Sequence, residues 1–108
     1  MYFLKKKMEV SGAHNLHLNY ESPCENSHGH NWQITIYCKR EDLDENGMIV
    51  DFTKIKGIVN QLDHKNINTI VDFNPTAENL AKWLCNQIPF CYQVDVEETN
   101  NNVATYIR

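Results

Sequence analysis

The sequence predicts an α+β fold in which an antiparallel sheet carries two helices on one face, in the chain order β-β-α-α-β-β. Two patterns lead to this prediction. Apolar residues occupy every second position in residues 32–38 and again in residues 92–96, which is typical of strands with one buried face. They recur at helical spacing in residues 52–62 and 77–88. With 108 residues, the chain is expected to form a single domain over residues 1–108.

Two strands are expected in the first third of the chain. Residues 2–10 mix aromatic, lysine and β-branched side chains, and a strand that continues to His14 would place this imidazole on the face of Val10. A loop rich in Asn, Ser and Pro follows over residues 15–27. The alternating apolar run then predicts the second strand over residues 30–39.

The first helix is expected to follow the Asn46-Gly47 turn and a short extended piece over residues 48–50. Asp51 is a suitable N-cap, because its carboxylate can accept a hydrogen bond from a free N–H group of the first turn. The apolar stripe ends near Asp63-His64, and residues 66–73 are expected to form a connector.

The second helix is expected to begin at Asn74-Pro75, with the asparagine as the cap and the proline in the first helical position, and to end at Pro89. Residues 93–99 alternate again and predict the third strand of the sheet. A turn over residues 100–102 then leads into a last short strand over residues 103–107.

Charge and composition argue against several classes of protein. The net charge of −4 argues against a nucleic-acid-binding protein, and Lys5-Lys6-Lys7 is interpreted as a solvated strand face. No apolar run reaches about 18 residues, so no membrane-spanning segment is expected, and the first residues lack the apolar run of a secretory leader. The four cysteines lack Cys-x-x-Cys spacing, which favours reduced thiols and a cytoplasmic location.

Histidines are concentrated where the second strand begins. His28 and His30 are two positions apart, so on a strand they point to the same face. A third imidazole from the first strand would complete a three-histidine site for zinc, with one coordination position open, as in catalytic sites. Spacing alone leaves His14 and His17 as competing candidates for this third ligand.

Two further segments carry groups that suit proton transfer, and each also has a structural interpretation. Cys24 is either a buried reduced thiol or a thiolate favoured by nearby imidazoles and metal. His64 either complements a helix C-terminus through its charge or acts as a proton carrier that Asp63 orients.

Glu98 interrupts an apolar row on the third long strand. It shares a face with Tyr92, Val94 and Val96, so a carboxylate ends an otherwise apolar row. Either the strand has ended and the carboxylate is solvated, or it is partly buried and binds a ligand with paired N–H donors.

Taken together, these segments resemble the 6-pyruvoyltetrahydropterin synthase / 6-carboxytetrahydropterin synthase family over nearly the whole chain. The matching motifs, in chain order, are Gly12-Ala13-His14-Asn15-Leu16, the Cys-x-x-x-His-Gly-His of residues 24–30, Gly47-Met48-Ile49-Val50-Asp51-Phe52, Leu62-Asp63-His64 with Ile67-Asn68, Pro75-Thr76-x-Glu78-Asn79, and Glu98-Thr99. Each motif is weak alone, and their common order makes the resemblance specific.

The resemblance implies the tunnelling fold, whose subunits form β-barrel trimers that pair into a hexamer, so a homohexamer is expected. It also implies the roles of the site residues. His14, His28 and His30 would hold zinc, and Cys24, Asp63 and His64 would form the catalytic triad. The substrate-binding residues would be Glu98, which anchors the pterin ring, with Thr99 and Glu25.

The implied substrate is 7,8-dihydroneopterin triphosphate. Zinc would act as a Lewis acid on its side-chain hydroxyls, while the Cys24 thiolate and His64 would move protons. Triphosphate would leave, and in the 6-carboxy branch, which supplies the queuosine precursor, acetaldehyde would leave too. No nicotinamide is required, and the chain has no Gly-x-Gly-x-x-Gly motif.

Glu25 departs from this pattern, because it forms the Glu-x-x-His-Gly-His motif of a branch that cleaves the side chain to 6-hydroxymethyl-7,8-dihydropterin for folate. The expected function is 6-carboxy-5,6,7,8-tetrahydropterin synthase, because Cys24, Asp63 and His64 are all present. The alternatives are 6-pyruvoyltetrahydropterin synthase, side-chain cleavage that uses Glu25, and a non-catalytic module that binds a pterin or a metal.

Overall fold

The computed structural model describes residues 1–108, which form a five-stranded sheet and two helices. The strands are β1 (Tyr2–His14), β2 (His28–Arg40), β3 (Lys65–Asn66), β4 (Cys91–Thr99) and β5 (Asn102–Ile107), and the helices are α1 (Phe52–Val59) and α2 (Ala77–Gln87). Single 3-10 turns lie at Pro23–Glu25, Asn60–Leu62 and Ile67–Thr69. The predicted α+β class is therefore confirmed.

The sheet has the strand order β3-β1-β2-β4-β5 and is mixed, so the prediction of a wholly antiparallel sheet is wrong. Four of the strands pair antiparallel, but β3 runs parallel to β1, with Lys65 opposite Gly12 and Asn66 opposite Ala13. A strand of two residues cannot show a period-two pattern, which is why the sequence indicated only a connector there. The pairing fixes the segment after His64 against the end of β1.

The β1–β2 ribbon extends further than predicted, since β1 continues past Val10 to His14 and β2 begins at His28 instead of His30. The register runs without a shift from Tyr2 opposite Arg40 to His14 opposite His28. Backbone hydrogen bonding does not require apolar side chains, so the ladder continues through the polar and glycine positions that obscured the pattern.

The hydrophobic core lies between one face of the sheet and the two helices, as predicted. Its fully buried side chains from the sheet are Val10, Trp32, Ile34, Ile36, Val94 and Val96, and those from the helices include Ile55, Val59, Leu80 and Leu84. Neither helix has the length and apolar character that crossing a membrane requires.

The start of α1 agrees with its predicted cap, because Oδ1 of Asp51 accepts a hydrogen bond of 2.8 Å from the backbone N–H of Thr53. The helix ends at Val59, and a 3-10 turn over Asn60–Leu62 carries the chain to Asp63. The extended piece expected before it, over residues 48–50, is not a strand.

The start of α2 differs from the prediction. Thr76, and not Asn74, is the N-cap: its hydroxyl accepts a hydrogen bond from the N–H of Asn79 at 3.1 Å. Pro75 precedes the helix and its carbonyl is free for another partner. The Asn74 side chain instead bridges the backbone N–H and carbonyl of His17 at 2.8 and 3.1 Å. The cap was predicted incorrectly because two nearby residues, Asn74 and Thr76, both suit the N-cap position.

Candidate metal centre and catalytic residues

Three imidazoles converge where the β1–β2 ribbon ends. His14 and His28 face each other in the register, and His30 lies one strand position further along the same face. Their ring centroids are 4.6 to 5.2 Å apart. His17 is exposed, and only its backbone is bound, to Asn74, so the structure selects His14 as the third imidazole.

Two of these imidazoles are oriented by backbone carbonyls. Nδ1 of His14 lies 2.8 Å from the carbonyl oxygen of Pro75, and Nδ1 of His28 lies 2.6 Å from that of Asn26. A carbonyl only accepts, so each Nδ1 carries the proton, and in the neutral ring the lone pair is on Nε2. Both Nε2 atoms point into the cluster, which is how proteins prepare imidazoles to bind a metal.

Glu98 joins this cluster. The β4–β5 register shifts between Glu97 and Thr99, so Glu98 lies at an irregularity of the kind that re-aims a side chain. Its Oε1 is 3.0 Å from Nε2 of His14, 2.8 Å from Nε2 of His30 and 3.9 Å from Nε2 of His28. The carboxylate is therefore partly buried among imidazoles, and the interpretation of a solvated strand end does not hold.

The donor set fits a divalent metal ion. The four ligand atoms of His14, His28, His30 and Glu98 all lie within 4.8 Å of one another. Burial, assisted by the positive charge of the other two imidazoles, lowers the pKa of His30 against the opposing effect of Glu98, which favours the neutral ligand form. Nε2 of His30 is buried and forms no hydrogen bond of good geometry, although Oε1 of Glu98 lies 2.8 Å away. A cation between these atoms would satisfy it.

Asp63 and His64 lie beside a cleft next to this cluster. Oδ1 of Asp63 accepts a hydrogen bond from the N–H of Ser11 at 2.8 Å, and its Oδ2 lies 3.6 Å from Nε2 of His64. The His64 imidazole is 82% exposed and lines a cleft of about 520 Å³ that also includes His30 and Lys65. A free imidazole with a carboxylate behind it can carry a proton to a molecule in this cleft.

The remaining predicted site residues, Cys24, Glu25 and Thr99, are not part of the cluster of His14, His28, His30 and Glu98. Cys24 is half-buried in the Pro23–Glu25 turn with a free thiol, and only its backbone is hydrogen-bonded, to Leu16 and Ser22. Glu25 is exposed. Thr99 is exposed at the end of β4, where its hydroxyl accepts a hydrogen bond from the side chain of Asn102.

The backbone groups that orient the side chains of the site were not identified from the sequence. The carbonyls of Pro75 and Asn26 and the N–H of Ser11 each fix a predicted site residue. Every residue except proline has the same backbone groups, so no sequence signal distinguishes these positions. The proximity of Glu98 to the imidazoles was missed as well, since it depends on the register shift.

Comparison with known proteins agrees with this arrangement. The sequence profile of the family described as "6-pyruvoyl tetrahydropterin synthase" matches residues 3–108. The structure of the Caenorhabditis elegans 6-pyruvoyl tetrahydropterin synthase superposes with a TM-score of 0.78, at 26% sequence identity, over 99% of this chain and 95% of that chain.

Two characterised relatives have different names. A 6-carboxy-5,6,7,8-tetrahydropterin synthase of Bacillus subtilis is 30% identical over 121 residues, which cover 95% of this chain and 83% of the relative. A dihydroneopterin monophosphate aldolase of Pyrococcus furiosus is 40% identical over 68 residues, which cover 59% of this chain and 57% of the relative.

Proposed function

Because this chain belongs to the 6-pyruvoyl tetrahydropterin synthase family, we propose that it is a zinc-dependent 6-carboxy-5,6,7,8-tetrahydropterin synthase. The proposed substrate is 7,8-dihydroneopterin triphosphate, which would lose triphosphate and acetaldehyde. The observation that carries the proposal is the convergence of His14, His28 and His30 beside the exposed His64. The relative in Bacillus subtilis, which shares nearly the full length, supports the 6-carboxy product.

His14, His28 and His30 would hold the zinc ion, which when bound supplies a Lewis acid for the hydroxyls of the substrate side chain. The chain prepares these ligands in advance. The carbonyls of Pro75 and Asn26 keep two Nε2 lone pairs directed at one point, and Trp32 packs edge-on against His14 and His30 at 4.8 and 5.1 Å. Little reorganisation is then needed on binding.

Asp63, His64 and Cys24 would move protons at the substrate side chain. Asp63 is fixed by Ser11, and its second oxygen faces Nε2 of His64, so it can stabilise the charge that His64 gains when the opposite nitrogen, Nδ1, takes a proton. Cys24, on the loop that leads into β2, would act as thiolate at the neighbouring carbon. A half-buried loop thiol that is not hydrogen-bonded is free to adjust to a substrate.

A second candidate function, cleavage of the side chain to 6-hydroxymethyl-7,8-dihydropterin, is favoured by two observations. Glu25 is exposed beside Cys24, where its carboxylate is available as a base. The matching part of the relative in Pyrococcus furiosus belongs to an aldolase of dihydroneopterin monophosphate.

We also propose that copies of the chain assemble into barrel-forming trimers that pair into a homohexamer. Both outer edges of the sheet support assembly: β5 has no partner on one side, and β3 covers only Gly12 and Ala13 of β1. Free strand edges pair readily with other strands. Large apolar side chains near them, Phe3 and Ile107, are 66% and 64% exposed.

Product analysis tests the proposed function. Zinc-loaded protein is incubated with 7,8-dihydroneopterin triphosphate, and the pterin products are identified by mass. The expected product is the 6-carboxy pterin, and Cys24→Ala should form it at least about 100-fold more slowly, because one proton transfer is lost. Glu25→Ala and its control Glu21→Ala, which alters another exposed carboxylate of the same loop, should both remain active.

Three results would contradict parts of this proposal. Loss of a hydroxymethyl product in Glu25→Ala alone would favour the second function. Normal turnover by Cys24→Ala would remove the thiol from the mechanism. Absence of any product from the zinc-loaded wild-type chain would indicate a pterin- or metal-binding module without catalysis.

A further inference from the structure

We propose that Glu98 is a fourth protein ligand of the metal ion in the substrate-free protein, so that its carboxylate must leave the ion when substrate binds. This inference rests on the metal centre of the proposed function. Glu98 would then alternate between binding the metal and binding the substrate. Without substrate, the metal site would have four protein ligands and no open coordination position.

The distances agree with a shared coordination sphere. In a tetrahedral zinc site with bonds of about 2.0–2.1 Å, neighbouring ligand atoms are about 3.3 Å apart. The Oε1 atom of Glu98 is 2.8, 3.0 and 3.9 Å from the three Nε2 atoms, so two of these distances are shorter than this value and one is longer. One carboxylate oxygen therefore lies beside all three imidazoles at once.

The hydrogen-bonding pattern requires something positive between these atoms. The lone pairs of His14 and His28 are on Nε2, because carbonyl oxygens hold their Nδ1 protons. Nε2 of His14 faces a carboxylate oxygen of Glu98, also an acceptor, at 3.0 Å, a contact that is a hydrogen bond only when a proton lies between the two atoms. The buried Nε2 of His30 lies 2.8 Å from the same oxygen without forming a hydrogen bond of good geometry. Acceptors that face one another repel unless a cation lies among them, and three imidazoles with one carboxylate suit zinc.

Glu98 also has space into which it can withdraw. Its side chain is 29% exposed and lines a second cleft of about 310 Å³, on whose wall Glu78, Asn101 and Asn102 lie. The register shift at this point leaves the residue without a regular ladder position. A small rotation of its side chain therefore exchanges the bond to the metal for an open position, which a substrate hydroxyl oxygen can take.

Metal affinity tests this inference without reference to activity. Zinc binding to the full chain is measured by competition with a chromogenic chelator for wild type, Glu98→Gln and the control Glu97→Gln. Wild type and the control should bind one ion per chain equally well. Glu98→Gln should still bind one ion, but at least about tenfold more weakly, because loss of even an outer partner of a zinc ligand costs about 10–100-fold and loss of a direct ligand should cost no less. Glu97 is a suitable control, since its carboxylate accepts a hydrogen bond from Asn101 outside the cluster.

A second measurement does not depend on any variant. In a crystal structure of zinc-loaded, substrate-free wild type, an oxygen of Glu98 should lie about 2.0–2.2 Å from the ion. A water molecule between Glu98 and the ion, or unchanged affinity in a folded Glu98→Gln, would overturn the inference and leave the proposed zinc centre standing. If the wild type bound no ion, both would fall.

Discussion

At the scale of single residues, the three imidazoles differ in what they contribute to the folded chain. His14 is fully buried, bound to the carbonyl of Pro75 and packed against Trp32, so it is part of the core as well as of the site. The side chain of His28 is 30% exposed and is held by a carbonyl only two residues away. The three imidazoles thus have the same proposed role in metal binding but unequal roles in stability.

This difference predicts a separation of two measurements in metal-free protein. His14→Ala should lower the free energy of unfolding by roughly 2–4 kcal/mol, because it leaves a cavity and an unpaired buried carbonyl. His28→Ala should lower it by less than about 1 kcal/mol. Urea unfolding in the presence of a chelator measures both, and zinc titration should show weak binding in each. Equal destabilisation by the two variants would contradict the assignment of His14 to the core.

At the scale of secondary-structure elements, one partly buried carboxylate on β4, that of Asp95, connects the strands on the outer face of the sheet. Asp95 accepts hydrogen bonds from Tyr37 on β2, from Thr105 on β5 and from Gln93, at 2.7 to 3.1 Å. Burial alone would raise its pKa, but the hydrogen bonds outweigh burial and keep the pKa below its usual range. The same carboxylate raises the pKa of Tyr37 to about 12. Asp95 thus links three strands, and it accepts these hydrogen bonds more strongly when it is ionised.

The lowered pKa of Asp95 determines how stability depends on pH. A carboxyl group whose pKa is lower in the folded than in the unfolded chain stabilises the fold above its unfolded pKa of about 3.9 and loses this effect as pH falls through the folded value. Asp95→Asn should therefore be less stable at pH 7 by about 1–2 kcal/mol and should lose less stability than wild type between pH 5 and the acid transition.

Urea unfolding from pH 7 downward gives the comparison, with Asp72→Asn as the control, since Asp72 is exposed and forms no side-chain hydrogen bond. The control should follow the wild type at every pH. If Asp95→Asn followed it too, the three hydrogen bonds would not contribute to holding β2, β4 and β5 together.

At the scale of the whole molecule, the chain is elongated, with principal extents of 51, 25 and 23 Å, and both edges of its sheet are open. This shape follows from the long β1–β2 ribbon, and it leaves apolar side chains exposed that a compact monomer would cover. The proposed hexamer would cover them by pairing the edges of neighbouring copies.

The proposed assembly predicts a mass close to six times the chain mass of 12.6 kDa, measured by light scattering or sedimentation at micromolar concentration. Ile107→Lys should reduce it, because it places a charge on the free edge strand, while Glu41→Lys, in an exposed turn, should not. A wild-type mass equal to one chain would contradict the proposal.

Features that depend on residues close together in the chain were predicted better than features that depend on residues far apart in the chain. Asp51 caps α1 as predicted, since a cap depends on neighbours within one turn. The cap of α2 was predicted at Asn74, two residues before the actual cap Thr76, because both residues suit the role. The parallel pairing of Lys65 with Gly12 joins residues far apart in the chain, and no local pattern encodes it.

By itself, the sequence determined the α+β class, the apolar faces and the presence of His28 and His30 on one side of a strand, because these features follow from the period of side chains along the backbone. Spacing along the chain did not separate His14 from His17, and only the resemblance implied His14. The tertiary structure decided that His14 completes the cluster and that Glu98 lies within it. Both depend on the register between strands that are distant in the chain, and register is set by the packing of the whole sheet.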